Sequence, residues 1–107
     1  MKACKGTVVI TGASSGFGRA AAKRFASEGY RLVLMARRLE RLTDLASTLE
    51  EDAPCHVVEL DVRDSNAVSE AFATLPEPFH QPDILINNAG LALGLSLSLI
   101  HISEPTR

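Results

Sequence analysis

The amino-acid sequence predicts an α/β fold that is doubly wound, with helices on both faces of a parallel sheet. Short apolar runs without polar alternation recur along the chain, segments of helical periodicity lie between them, and a glycine-rich turn follows the first run. Continuous apolar runs are typical of strands buried on both faces. Because strands that alternate with helices are joined by right-handed crossovers, these strands should be parallel.

About four strands and three helices are predicted, beginning with a strand. The strands are expected at 7–10, 30–36, 57–58 and 84–86. Gly29 should end the first helix, and Asp64 should cap the third helix before Pro76 stops it. Each helix places apolar residues on one face, namely Gly18, Ala21, Ala22, Phe25 and Ala26, then Leu39, Leu42, Leu45, Ala46 and Leu49, then Ala67, Val68, Ala71, Phe72 and Leu75.

The glycine-rich turn between the first strand and the first helix predicts an anion site. Residues 11–18 have the sequence T-G-A-S-S-G-F-G. Backbone N–H groups at a helix N-terminus favour an anion, here a dinucleotide pyrophosphate, and a simple chain reversal is the alternative. Gly12 lets the chain leave the strand, Gly16 lets the backbone approach a phosphate, and Gly18 lets the helix pack on the sheet. The candidate cofactor-binding residues in this turn are Gly12, Ser14, Ser15, Gly16, Phe17 and Gly18.

Two arginines at the end of the second strand predict which dinucleotide binds. About twenty residues beyond the glycines, an NAD site usually carries an acidic residue for the ribose 2′-hydroxyl. This chain has Ala36, Arg37 and Arg38 there. A guanidinium binds a 2′-phosphate through charge-assisted hydrogen bonds, whereas a carboxylate repels it. Arg37, supported by Arg38, therefore predicts NADP, and the alternative is that both are solvated charges at the start of a helix.

Two further motifs follow the third and fourth strands. A carboxylate and an apolar residue, Asp61 and Val62, come after the third strand, and residues 87–90 have the sequence N-N-A-G. An Asp after a strand and a lone N-N-A-G are each ordinary turn features on their own. Together with the T-G-x-x-x-G-x-G spacing, however, they resemble the classical short-chain dehydrogenase/reductase family. The resemblance covers 5–95 and is greatest to bacterial NADP-dependent serine and 3-hydroxy acid dehydrogenases.

The resemblance implies a fold and further contacts with the cofactor. The chain should be the N-terminal half of a Rossmann dinucleotide-binding domain. By analogy with the family, Asp61 hydrogen-bonds the adenine and Val62 lines the adenine pocket. The N-N-A-G motif stabilises the sheet and borders the cofactor, which makes Asn88, Ala89 and Gly90 candidate contacts.

The resemblance also implies an activity that this chain cannot complete. In the family a hydride passes between a nicotinamide and a carbonyl or alcohol carbon, while a Tyr beside a Lys acts as general acid/base and a Ser positions the substrate oxygen. Those residues belong to the second half of the fold, and Tyr30, the one tyrosine, has no Lys four residues later. The parent is expected to be a homo-tetrameric oxidoreductase of a small molecule, such as a 3-hydroxy acid, and this fragment to be inactive without catalytic residues. The alternatives are a non-catalytic NADP-binding or sensing module, and an epimerase or dehydratase of the same superfamily.

Charge and composition argue against several other classes of partner. Eleven basic and thirteen acidic side chains give a net charge of −2, so neither nucleic acid nor an anionic membrane is expected as a partner. The apolar runs are too short to span a bilayer and no signal-peptide pattern is present, which predicts a cytoplasmic location. Cys4 and Cys55 lack the spacing of a metal site and are expected to be reduced thiols.

The C-terminal segment departs from the family pattern. Residues 97–107 have the sequence L-S-L-I-H-I-S-E-P-T-R, and codons for it resemble a transposon-end adapter used in sequencing libraries. We therefore expect 1–95 to be the N-terminal part of the dinucleotide-binding domain and 96–107 to be translated adapter. The alternative is a genuine loop and short strand, since leucines alternate with serines here. A chain of 107 residues is short for a complete doubly wound fold, so the fourth strand is expected at an exposed edge.

Overall fold

The computed structural model describes residues 5–14 and 16–88 and the backbone of 100–103. Strands and helices alternate as the sequence predicts, and the bounds of the four predicted strands lie within two residues of those expected. The elements are β1 (Thr7–Thr11), α1 (Gly16–Ser27), β2 (Arg31–Ala36), α2 (Leu39–Leu49), β3 (Cys55–Glu59), α3 (Ser65–Ala73), β4 (Ile84–Asn87) and β5 (Ile100–Ser103).

The strands form one parallel sheet in the order β3-β2-β1-β4-β5. In its centre, Val9 of β1 lies opposite Val33 of β2 on one side and opposite Leu85 of β4 on the other. The chain therefore winds outward from β1 to β3 and then crosses back to β4. This reversal creates a crevice beyond the carboxyl ends of the strands, which is where doubly wound proteins bind their ligands.

A fifth strand pairs with β4, so the expectation that β4 forms the exposed edge is wrong. Ile86 of β4 lies opposite Ile102 of β5, and the two strands are parallel. An unpaired strand presents a row of backbone donors and acceptors, and pairing with 100–103 satisfies that row. The fifth strand lies inside the segment 96–107, whose origin remains a prediction.

Alternate residues of the central strands face two separate cores. Val8 and Ile10 of β1 belong to the cluster that buries α1 and α2. Val9 points to the opposite face, where it clusters with Val33 and with Val68 of α3. The two-residue period of a strand produces this division. Helices therefore cover both faces of the central strands, as their uninterrupted apolar runs predict.

The strand β3 forms the other edge of the sheet and is less buried than expected. The apolar run predicts a strand covered on both faces, but Val57 and Val58 are only partly buried. In the described part of the sheet β3 has a neighbour on one side alone, namely β2. Its flank is consequently open to solvent.

The ends of the helices follow the predicted signals. The helix α1 ends just before Gly29, and α3 ends three residues before Pro76. The Asp64 carboxylate accepts a hydrogen bond from the Ala67 N–H over 3.1 Å and so caps α3. Within the described ranges, every helix is too short or too polar to pass through a bilayer.

Candidate cofactor site

The glycine-rich turn lies at the carboxyl end of β1. Gly12 has a φ of 64°, a left-handed conformation that favours glycine. Ala13 donates its N–H to the Met35 carbonyl of β2 over 3.1 Å, which holds the turn against the neighbouring strand. The helix α1 begins at Gly16. Its first N–H groups and the positive end of its dipole therefore lie at the crevice edge of the sheet.

The two glycines of α1 have opposite surroundings. A Cβ added to Gly16 would meet no atom within 4 Å, so the space above the start of the helix is open. A Cβ added to Gly18 would collide with the Gly12 carbonyl oxygen and would lie 2.8 Å from the Cα of Ala13. Gly18 thus lets the helix approach the turn closely, as its predicted role requires. The phosphate contact of Gly16 stays a prediction.

Two asparagines at the end of β4 tie the turn to the sheet. Asn88 donates from Nδ2 to the Gly12 carbonyl oxygen over 3.0 Å. The Thr11 hydroxyl donates to Oδ1 of Asn87 over 3.0 Å, and Asn87 is buried. These bonds join β1 to β4 at the point where both strands end, which is the structural part of the role expected of the N-N-A-G motif.

Removing the Asn88 amide should loosen the turn while leaving the sheet intact. We expect Asn88→Ala to lower the free energy of unfolding by about 1 kcal/mol, the net value of one intramolecular hydrogen bond. Urea unfolding followed by circular dichroism measures this change. Asn66→Ala is the matched control, because Asn66 is exposed in the first turn of α3 and its removal should matter by less than about 0.5 kcal/mol. Equal urea midpoints for the two variants would contradict a stabilising role for the hydrogen bond from Asn88 to Gly12.

A cavity of about 560 Å³ lies beyond the carboxyl ends of β2 and β3, within the size range of small-molecule sites. Six of the predicted cofactor residues line it, namely Gly12, Ser14, Arg37, Arg38, Asp61 and Val62. Three others, Gly16, Phe17 and Gly18, form the first turn of α1 and are not among the lining residues that the structure describes. Asn88 bonds the turn and is not among these lining residues either. The last three, Ser15, Ala89 and Gly90, lie outside the described residues.

The cavity also contains residues that the motifs do not predict. These are Ala36, Arg41, Leu60 and Arg63. Arg41 lies in the first turn of α2, three positions after Arg38 at its N-cap, so the helical periodicity after β2 is a signal that could have found it. Arg63 lies two residues after Asp61, in a loop without a regular period. Four of the described lining residues are therefore arginines and one is a carboxylate, a balance that favours a polyanionic ligand.

The single carboxylate of the lining is bound by one of these arginines. The Nη2 of Arg63 lies 2.8 Å from Oδ2 of Asp61, and the Arg63 backbone N–H donates to Oδ1 over 2.9 Å. These hydrogen bonds, that of the side chain above all, lower the pKa of Asp61 to about 2, and the positive charge of Arg37 acts in the same direction. Asp61 is consequently ionised at neutral pH and acts only as an acceptor.

Comparison with known sequences identifies the family. The sequence profile of the family described as short chain dehydrogenase matches residues 6–104. The chain belongs to the short-chain dehydrogenase family. The doubly wound sheet, the glycine-rich turn and the strand-end motifs are thereby explained together as features of a family of nicotinamide-dependent oxidoreductases.

Individual members of the short-chain dehydrogenase family match most of this chain. A sulfoacetaldehyde reductase of Chromohalobacter salexigens is 59% identical over 86 residues, which are 80% of this chain and 34% of the relative. An NADP-dependent 3-hydroxy acid dehydrogenase of Escherichia coli K12 is 42% identical over 88 residues, or 82% of this chain and 35% of the relative. The solved L-sorbose reductase of Gluconobacter frateurii, complexed with NADPH and L-sorbose, superimposes with a TM-score of 0.75 at 39% identity, over 82% of this chain and 34% of that one.

These matches confirm the predicted resemblance to bacterial serine and 3-hydroxy acid dehydrogenases. They also show how much of a family member is represented here. The chain spans about a third of the length of the curated relatives it matches.

The tyrosine and a cysteine lie at the amino ends of β2 and β3, opposite the carboxyl ends that border the cavity. Tyr30 precedes β2, and its ring packs edge-on against that of Phe25 with centroids 5.3 Å apart. Cys55 begins β3 and is half-buried, and this burial, with a smaller contribution from the charge of Glu50, raises the pKa of its thiol to about 11. Neither side chain is positioned to act on a ligand in the arginine-lined cavity.

Proposed function

We propose that this chain is the cofactor-binding half of an NADP-dependent oxidoreductase that interconverts a hydroxyl and a carbonyl group on a small substrate. The observation that carries the proposal is the convergence of four guanidinium side chains on one cavity next to the glycine-rich turn. They are Arg37, Arg38, Arg41 and Arg63. The strand end before them carries the uncharged Ala36 rather than the acidic residue typical of an NAD site.

Each part of NADP has chemically suitable residues in this arrangement. The N–H groups at the start of α1 suit the pyrophosphate, because N–H donors at the positive end of a helix dipole favour an anion. Arg37 and Arg38 suit the 2′-phosphate, which a guanidinium can bind through two parallel hydrogen bonds. Asp61 suits the adenine amino group as an acceptor, and Val62 supplies an apolar contact. NADPH supplies the hydride when bound, and the residues of this chain hold and orient it.

The relatives support the same assignment. One is named as NADP-dependent, and the solved L-sorbose reductase is complexed with NADPH. We therefore assign NADP as the cofactor, a small molecule as the substrate and a parent protein that completes the site with its Ser and Tyr-x-x-x-Lys. The fragment alone is proposed to have no turnover. The tetramer, the cytoplasmic location and the boundary at 95/96 remain predictions, and the last can be tested by sequencing an independent clone across codons 95–97.

A non-catalytic NADP-binding or sensing module is the alternative. It shares the cavity and differs only in the remainder of the protein. An intact gene that encodes the Ser and the Tyr-x-x-x-Lys downstream would favour the enzyme, and a gene without them would favour the module.

Calorimetric titration of the chain with NADP⁺ and NAD⁺ tests the proposed cofactor. We expect NADP⁺ to bind at least about tenfold more tightly, because one charge-assisted hydrogen bond contributes about 1.5–3 kcal/mol. NADH and NADPH should show the same order. Equal affinities would refute the role of the arginines, and the absence of binding by either nucleotide would refute the dinucleotide site itself.

A further inference from the structure

Both oxygens of the Asp61 carboxylate accept hydrogen bonds from one residue, Arg63. Its Oδ1 accepts from the Arg63 backbone N–H over 2.9 Å and from Nε over 3.1 Å. Its Oδ2 accepts from Nε over 3.2 Å and from Nη2 over 2.8 Å. A carboxylate offers about four lone-pair positions. The acceptor expected for the adenine amino group is thus already occupied.

This occupancy conflicts with adenine recognition unless Arg63 moves. We propose that Arg63 is a specificity-determining residue of the adenine subsite, whose guanidinium holds the Asp61 carboxylate until the adenine 6-amino group replaces Nη2. The inference rests on the proposed function, since it presupposes an adenine nucleotide in the arginine-lined cavity. It assigns to Arg63 a task that the binding of the 2′-phosphate does not require.

The exposure of the pair makes such an exchange feasible. The Arg63 side chain is 67% exposed and that of Asp61 37% exposed. Exposed ion pairs are weak, because water and salt screen them and both side chains lose rotamer freedom. A ligand that offers a donor at the same position can therefore compete with the guanidinium. The displaced Arg63 would stay at the rim of a cavity whose expected ligand carries several negative charges.

Arg63 should consequently reduce the preference of the site for adenine over a base without the amino donor. Hypoxanthine carries an oxo acceptor in place of the 6-amino group. With Arg63 present, the adenine amino group has to displace the guanidinium from the Asp61 carboxylate, and the paired carboxylate repels the oxo group less than a free one does. Without Arg63, the bare carboxylate of Asp61 attracts the amino group and repels the oxo group. Removal of the guanidinium therefore sharpens the discrimination.

The test compares NADP⁺ with nicotinamide hypoxanthine dinucleotide phosphate by calorimetry on the full chain. We expect Arg63→Ala to raise the affinity ratio of NADP⁺ to the hypoxanthine analogue about three- to five-fold, as expected for the loss of one exposed ion pair. The ratio cancels the general effect of removing a positive charge. Arg63→Met, which keeps the aliphatic part of the side chain, should give the same increase.

Two controls separate this effect from simpler ones. Arg41→Ala removes the same charge from the cavity lining but leaves the bonds between Asp61 and Arg63, so it should weaken both nucleotides equally and leave the ratio unchanged. In an Asp61→Ala background, the further removal of Arg63 should leave the ratio unchanged as well. A double-mutant cycle of this kind isolates the coupling between the two residues.

The outcomes distinguish the inference from the proposed function. Failure of the unaltered chain to bind either NADP⁺ or NAD⁺ would refute the proposed function and this inference with it. A normal preference for NADP⁺, combined with an unchanged or lower adenine ratio in both Arg63 variants, would overturn the inference alone. A higher ratio that persists in the Asp61→Ala background would also overturn it, because Arg63 would then act without Asp61.

Discussion

Gly18→Ala is expected to lower the free energy of unfolding by about 2–3 kcal/mol and the Tm by more than about 10 °C. The added methyl group would press on the Gly12 carbonyl oxygen and lie 2.8 Å from the Cα of Ala13. Both are backbone atoms of the glycine-rich turn, so they cannot rotate away as the end of a flexible side chain can. Relief requires α1 to move off the turn, which would disturb the packing of the buried Ala22 against the sheet. Thermal unfolding followed by circular dichroism measures the loss.

Gly16→Ala is the matched control, since it makes the same change two positions earlier in the same helix. Its methyl group meets no atom within 4 Å, and alanine has a higher helix propensity than glycine by about 1 kcal/mol. Stability should therefore be unchanged or slightly raised. The affinity for NADP⁺ should fall instead, because the methyl group fills space expected for the pyrophosphate. If Gly18→Ala had the same Tm as the unaltered chain, α1 would be able to move away from the turn without loss of stability, and the prediction would be wrong.

Most of the fold could be predicted because the deciding residues are close together in sequence. Every residue of β1 is buried, as its uninterrupted apolar run predicts. Asp64 caps α3 through a bond to an N–H three residues later. Gly12 and Gly18 both act within a single strand-to-helix connection, Gly12 by its positive φ and Gly18 by allowing close packing. In each case the physical requirement is met inside one element or at its end.

The features that the sequence did not predict depend on contacts between distant elements. β3 begins at Cys55 rather than at Val57 because Cys55 pairs with Leu32 of β2, and no local apolar run encodes that pairing. Residues 100–103 form β5 because their backbone pairs with that of β4. Arg63 reaches the cavity because the loop after β3 returns to the end of β2. The residue pattern within one segment does not indicate which distant segments it will contact.

Arg37→Asp is expected to reverse the cofactor preference from NADP⁺ to NAD⁺. Arg37 is exposed between the buried Ala36 and Arg38 at the N-cap position of α2, and it lines the cavity. Hydrogen bonds to charged groups contribute about 1.5–3 kcal/mol, so loss of the guanidinium should weaken NADP⁺ about 10- to 150-fold. The new carboxylate repels a 2′-phosphate and accepts a hydrogen bond from a free 2′-hydroxyl, so NAD⁺ should bind more tightly. Calorimetric titration with both nucleotides measures the ratio.

Lys23→Asp separates the local effect from that of net charge. It changes the charge of the chain by the same amount, but Lys23 is an exposed residue of α1 that does not belong to the described lining of the cavity. Salt screens interactions between exposed charges at physiological ionic strength, so the change at this residue outside the lining should leave both affinities nearly unchanged. An unaltered ratio in Arg37→Asp, or an equal change in both variants, would contradict the assignment. A partial loss of NADP⁺ affinity without reversal would mean that Arg38 and Arg41, which remain in the variant, carry part of the phosphate binding, because a guanidinium in a shared cavity can replace a lost neighbour.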